Sequence, residues 1–186
     1  MTPRHTFAWA AILGLFLDQL TKLLVQGAHM TGPPENWTSV RLLGEYLFIS
    51  PARNPHGLFS WRYGPRFVYF ILPLVGVGLV VWFALRNRDR WAGAAYGMIL
   101  AGALGNLIDR ARVGWVIDFI DFRLPQLGFR WFTFNLADAL LVVGIGVLLA
   151  RELFGRRAAG SLTQPGSAGD SVTPAATDSE TGLPRQ

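Results

Sequence analysis

Residues 91–110 read WAGAAYGMILAGALGNLIDR, and this stretch decides the fold. Trp91 to Ile108 carries no charge and is about 18 residues long. A helix rising about 1.5 Å per residue needs that length to cross roughly 30 Å of hydrocarbon. Gly102, Ala103 and Gly105 are small, so a second helix can approach closely. The run ends on Asn106, Asp109 and Arg110. Asn106 and Asp109 are three apart and share a helix face. Packing and capping explain the glycines. They do not explain polar residues clustered at membrane depth, where an ionised carboxylate costs roughly 2.5–3.5 kcal/mol on insertion scales.

Three more apolar segments flank this one. Phe7 to Val25 is interrupted by Asp18 and Lys22, Phe67 to Leu85 is uncharged, and Phe132 to Ala150 carries only Asp138. The expected architecture is an all-α membrane protein with four spans, about 7–25, 67–85, 91–108 and 132–150. Pro73 is expected to kink the second, which membrane helices tolerate. The first segment is too long for a typical signal-peptide core, contains Asp and Lys, and has no convincing cleavage site after it, so it reads as a retained span. Residues 1–154 form one membrane domain. The tail, 155–186, is rich in Gly, Ser, Thr, Pro and Ala and reads as a disordered cytoplasmic extension.

Basic residues set the orientation. Arg4, the group Arg86, Arg88 and Arg90, and the group Arg151, Arg156 and Arg157 fall on one side, the expected cytoplasmic side. Two longer loops, about 26–66 and 109–131, fall on the other. In the first, Tyr46 to Ile49 is β-prone and predicts a short strand. Trp37, Trp61, Trp115 and Trp131 lie in these loops or at span ends, as interfacial anchors do.

Composition narrows the chemistry. The chain is 51% hydrophobic and 16% charged, with a net charge of +5. Its basic residues form no stripe for a phosphate backbone, so nucleic acid is not an expected partner. There is no cysteine, which excludes thiolate nucleophiles and Cys-ligated metals. The three histidines form no metal-binding pair, and no metal or organic cofactor is expected.

Five aspartates remain in or beside the apolar segments: Asp18, Asp109, Asp118, Asp121 and Asp138. Asp18 and Lys22 are four apart and can pair, either to ease insertion or to orient a site. Asp118 and Asp121 sit among large apolar residues that disfavour ionisation and raise a carboxyl pKa; Asp118 is the favoured site member. Asn135 and Asp138 share a face at the start of the fourth segment, where an acid also complements the helix dipole. Asn54 either bonds a substrate backbone or makes a turn. Two adjacent carboxyls suffice for peptide hydrolysis without a metal: one takes a proton from water, the other protonates the leaving amine. A proton-conducting protein and a non-enzymatic scaffold are the rivals. The first would place carboxylates at several depths, whereas all but Asp18 cluster toward one side.

In order along the chain stand Asp18-Gln-Leu-Thr-Lys22, Arg53-Asn54, Gly105-Asn106-Leu-Ile-Asp109-Arg110, Val116-Ile-Asp118-Phe and Phe134-Asn135-Leu-Ala137-Asp138. Together these resemble lipoprotein signal peptidase (signal peptidase II) over about residues 7–150. The resemblance implies an aspartyl endopeptidase of the bacterial inner membrane, with both termini cytoplasmic and the active site toward the periplasm. It implies a substrate, a diacylglyceryl-modified prolipoprotein cut before its lipidated cysteine. It implies a four-helix bundle with a small extracytoplasmic β-cradle and an interfacial segment. The catalytic pair falls on Asp118 and Asp138. Asp18, Lys22, Asn54, Asn106, Asp109, Arg110 and Asn135 match substrate-binding or supporting positions, with Asp18–Lys22 and Asp109–Arg110 as struts. The expected partners are the precursor and membrane lipid, and the chain is expected to act as a monomer. After Arg53-Asn54 and one more residue the family usually reads Gly-Ala-Ala/Trp-Phe. Here His56-Gly57-Leu58-Phe59 stands in that loop, so the lipid and peptide entrance is expected to differ in shape.

Overall fold

In the computed structural model, residues 1–55 and 68–161 are described. Among these residues run four long helices: α1 (Pro3–His29), α2 (Val68–Arg86), α3 (Arg90–Val113) and α4 (Leu136–Ser161). α1 and α3 are each long and apolar enough to cross a membrane, and Phe70–Arg86 of α2 is a shorter apolar helix. Pro73 lies inside α2. The departure from the family pattern at His56 to Phe59, and Trp61, lie outside the described residues, as do residues 162–186 of the tail. Residues 155–161 continue α4; Arg and Ala, which favour helix, carry it past the predicted end.

Surface and interior are inverted relative to a protein in water. Trp9, Phe16 and Leu24 on α1, Leu72 and Leu74 on α2, and Val142 and Leu149 on α4 are all exposed. The largest fully buried side chains include Lys22, Asn135, Asp18, Asp109 and Asp121. An apolar exterior around a polar interior suits lipid as the surroundings.

α3 is the central helix, packed on α1, α2 and α4. Its start is capped by Asp89, whose Oδ1 accepts from the amides of Trp91 (2.7 Å) and Ala92 (2.9 Å). Asp89 also pairs with Arg151 of α4 at 2.8 Å. Gly114 ends α3 at φ 86°, a left-handed cap that favours glycine. Small residues let the helices close. A Cβ on Gly102 would run into the Ala137 carbonyl oxygen of α4.

The outer segments pair as an antiparallel sheet in the order β1 (Val40–Leu43), β2 (Leu47–Asn54), β3 (Val116–Leu124), β4 (Phe129–Arg130). The strand expected near Tyr46 is therefore one of four; Tyr46 itself lies in the turn before β2. The segment read from sequence as a loop around Asp118 is the nine-residue strand β3. The amides of Phe119 and Ile120 donate to the Phe134 carbonyl, and the Phe134 amide donates back to Ile120. That pairing holds 132–135 extended, so α4 begins at Leu136 and not at Phe132.

Gly102→Ala should lower the melting temperature in detergent, with a loss of about 1–3 kcal/mol from forced separation of α3 and α4. Gly146→Ala, where a Cβ meets nothing within 4 Å, should leave it unchanged or slightly raised.

Candidate active site

Three helices and one strand converge on a buried ammonium. Lys22 of α1 lies 3.0 Å from Asp18 Oδ2 one turn earlier, 2.9 Å from Asp109 Oδ2 of α3, and 3.0 Å from Asn106 Oδ1. Lysine has three N–H donors, and all are used. The two carboxylates in turn satisfy backbone. Asp18 Oδ1 accepts from the Ala137 amide in the first turn of α4 at 2.9 Å. Asp109 Oδ2 accepts from the Ile117 amide of β3 at 3.2 Å. Gly105 is required here, because a Cβ would strike the Asp18 carboxylate. Gln19, which the sequence reading passed over, donates to Asp18 Oδ2 (3.1 Å), the Gly105 carbonyl (3.3 Å) and Asp109 Oδ1 (3.4 Å). Its position beside Asp18 was the only signal for it.

Asp118 and Asp138 lie beside this cluster and are joined by amides. Asn135 Nδ2 donates to Asp118 Oδ1 at 2.7 Å and to Asn106 Oδ1 at 3.1 Å. The Asn135 backbone amide donates to Asp138 Oδ2 at 3.3 Å, and the Asp138 amide donates to Asn135 Oδ1 at 3.0 Å. That reciprocal pair is a capping box at the start of α4. Asn106 Nδ2 donates to Asp138 Oδ1 at 2.8 Å, and Asn54 Nδ2 donates to Asp118 Oδ2 at 3.0 Å. Burial pushes the Asp118 carboxyl up to about 7, reinforced by the Asp138 charge and opposed by the Asn54 and Asn135 amides and by Lys22.

Every sequence-predicted site residue thus falls in one neighbourhood. Arg110 donates to the Asn106 carbonyl at 3.2 Å and acts electrostatically on Asp109, Asp118 and Asp138. Asp109 pairs with Lys22 at 2.9 Å and with Arg112 at 3.9 Å, and Arg110 acts on it electrostatically. Asp121 departs from expectation altogether. Burial alone would raise it, but the guanidiniums of Arg123 and Arg130 hold it down at about 2. Arg130 Nη2 lies 2.8 Å away, and Arg123 forks onto the same oxygen through Nε at 3.0 Å and through Nη2. Its apolar sequence neighbours were the wrong guide: Arg123, two residues on along β3, and Arg130, across the β3–β4 turn, both reach it.

The family described as Signal peptidase (SPase) II matches residues 10–154. A lipoprotein signal peptidase from Cyanothece sp. is 40% identical over 153 residues, which is 80% of this chain and 84% of that protein. A bacterial membrane enzyme solved by the in meso method at 1.9 Å aligns with TM-score 0.69 and 27% identity, over 80% of this chain and 93% of its own. A second, solved by the same method at 2.3 Å, aligns with TM-score 0.72 over 89% of this chain and 95% of its own, at 24% identity, and shares the fold.

Lys22→Met should strand two buried carboxylates and remove about 3–5 kcal/mol of stability, read as a drop in melting temperature. Lys22→Met combined with Asp109→Asn should recover part of the loss. A melting temperature equal to wild type in the single variant would show that the ammonium does not hold the cluster.

Proposed function

The chain belongs to the signal peptidase II family, and from that premise we propose that it is an aspartyl endopeptidase that removes the signal peptide from diacylglyceryl-modified prolipoproteins. The cut falls before the lipidated cysteine. All four helices span the bacterial inner membrane, both termini are cytoplasmic, and the sheet and the aspartate pair face the periplasm. The basic residues at the α2–α3 turn and in the C-terminal part of α4 support that orientation. The chain acts as a monomer and needs no cofactor.

One observation carries the catalytic assignment. A single residue, Asn135, contacts both carboxylates, Asp118 through its side-chain amide and Asp138 through its backbone. Two acids so close cannot both ionise cheaply, and they share a proton. The ionised partner takes a proton from water as the oxygen attacks the scissile carbonyl. The protonated partner donates to the carbonyl oxygen as charge develops there. Collapse of the tetrahedral species breaks the C–N bond, and the proton taken from water passes to the leaving cysteine amine. Asn54, Asn106 and Asn135 hold the pair in register. Asp18, Lys22 and Asp109 anchor the elements that carry it, and Arg110 supports Asn106 from one turn away.

Asp118→Asn and Asp138→Asn should each abolish cleavage of a purified diacylated precursor while leaving a folded, membrane-inserted protein; wild-type cleavage by either variant would refute the pair. A carboxyl raised to about 7 is protonated below that pH and loses its proton above it. The value of kcat/KM should therefore fall as pH rises through about 7.

A further inference from the structure

Arg53 is charged, lies next to a residue of the aspartate pair's surroundings, and has no part in the chemistry above. Its guanidinium carbon sits 4.8 Å from the centroid of the Trp37 ring and 4.5 Å from that of Trp115. Both distances lie within the range of a cation–π contact. The two rings belong to different segments. Trp37 follows the short turn after α1, and its Nε1 donates to the Gly32 carbonyl at 3.3 Å. Trp115 precedes β3 and packs against the cluster of Val25, Ile117 and Phe119. Arg53 therefore ties the segment after α1, the end of β2 and the entry of β3 together.

The register gives this clamp a consequence. Arg53 pairs with Ile117, and Asn54 with Val116, at the last rungs of the β2–β3 ladder. Successive strand residues point to opposite faces. Arg53 thus holds the strand end from the face opposite the one that presents Asn54 to Asp118, 3.0 Å away. A strand end is where pairing frays first, and β2 ends at Asn54. We propose that Arg53, gripped between Trp37 and Trp115, is a positioning residue that fixes Asn54 on Asp118. This rests on the assignment of Asp118 to the reacting pair.

Asn54 donates to the carboxylate of Asp118 and so favours its ionised form. Loss of that bond raises the pH at which the pair gives up its last proton. The charged groups acting on Asp118 come from three helices: Lys22 of α1, Arg110 of α3 and Asp138 of α4. None of them is altered by a change at Arg53.

The experiment is the pH profile of kcat/KM on a diacylated precursor for the full-length protein. Arg53→Ala should move the alkaline limb to higher pH by about 0.5 unit, the worth of a weakened hydrogen bond. Asn54→Ala should move it the same way, and adding Arg53→Ala in that background should move it no further. Arg53→Lys, which keeps the charge but loses the planar stack, should fall between wild type and Arg53→Ala. Trp37→Leu should reproduce the shift with Arg53 present, which covers the case in which Arg53→Ala fails to fold. Where Asn54→Ala is too slow to assay, infrared titration of the Asp118 carboxyl in the same variants reads the same shift. A wild-type limb in Arg53→Ala, or a full further shift in the Asn54→Ala background, overturns the proposal. Retained cleavage by Asp118→Asn would instead refute the pair itself, so the two failures are distinct.

Discussion

The Lys22 ammonium, enclosed by Asp18, Asp109 and Asn106, is the interaction on which the rest of the structure depends. A charge this deep is tolerable only when fully paired and hydrogen-bonded. Once it is, each partner fixes a different element. Asp18 holds the first turn of α4 through the Ala137 amide, and Asp109 holds β3 through the Ile117 amide. Asn106 passes its own amide to Asp138. One cation in α1 thereby sets the mutual register of α3, α4 and β3, and these are the elements that carry the two proposed catalytic acids. In lipid the hydrophobic effect supplies little attraction between helices. A saturated polar centre surrounded by small-residue contacts supplies the specificity instead.

The helices were legible in the sequence because lipid demands long apolar runs and the chain provides them at spacings that leave little room for other arrangements. The site aspartates were legible for the converse reason: a carboxylate beside such a run has a cost that needs explaining. What was not legible from the residue pattern is most of the sheet: the strand near Tyr46 was expected, and β3 was not. Val116 to Phe122 places its two acids three residues apart, with no alternation of polar and apolar residues, so the usual strand signal is missing. Both faces of β3 are largely buried, which removes the alternation. The same spacing explains why a shared assessment of Asp118 and Asp121 failed. On a helix they would share a face; on a strand they point apart. Asp118 faces the α4 cap. Asp121 meets Arg123, two residues on in the same strand, and Arg130, whose approach depends on the β3–β4 turn and cannot be read from neighbours in sequence. Trp37 and Trp115 were missed in the same way. Their placement suggested interfacial anchors, whereas their stacking on Arg53 depends on strand register.

The contrast within β3 shows how the protein sets the protonation of two buried acids by choice of partner. Asp121 is held by two guanidiniums and stays ionised down to about 2. Asp118 is held by two neutral amides, from Asn54 and Asn135, and is pushed up to about 7. An amide orients a carboxylate and satisfies its lone pairs without adding a positive charge. A cation in place of those amides would favour the ionised carboxylate, and the shared proton proposed for the pair would be lost. Lys22 is linked to the pair through an amide: it reaches Asn106 Oδ1, and Asn106 Nδ2 reaches Asp138. The buried Lys22 charge and the proposed proton-sharing pair thus occupy adjacent volumes, with Asn106 bonded to both.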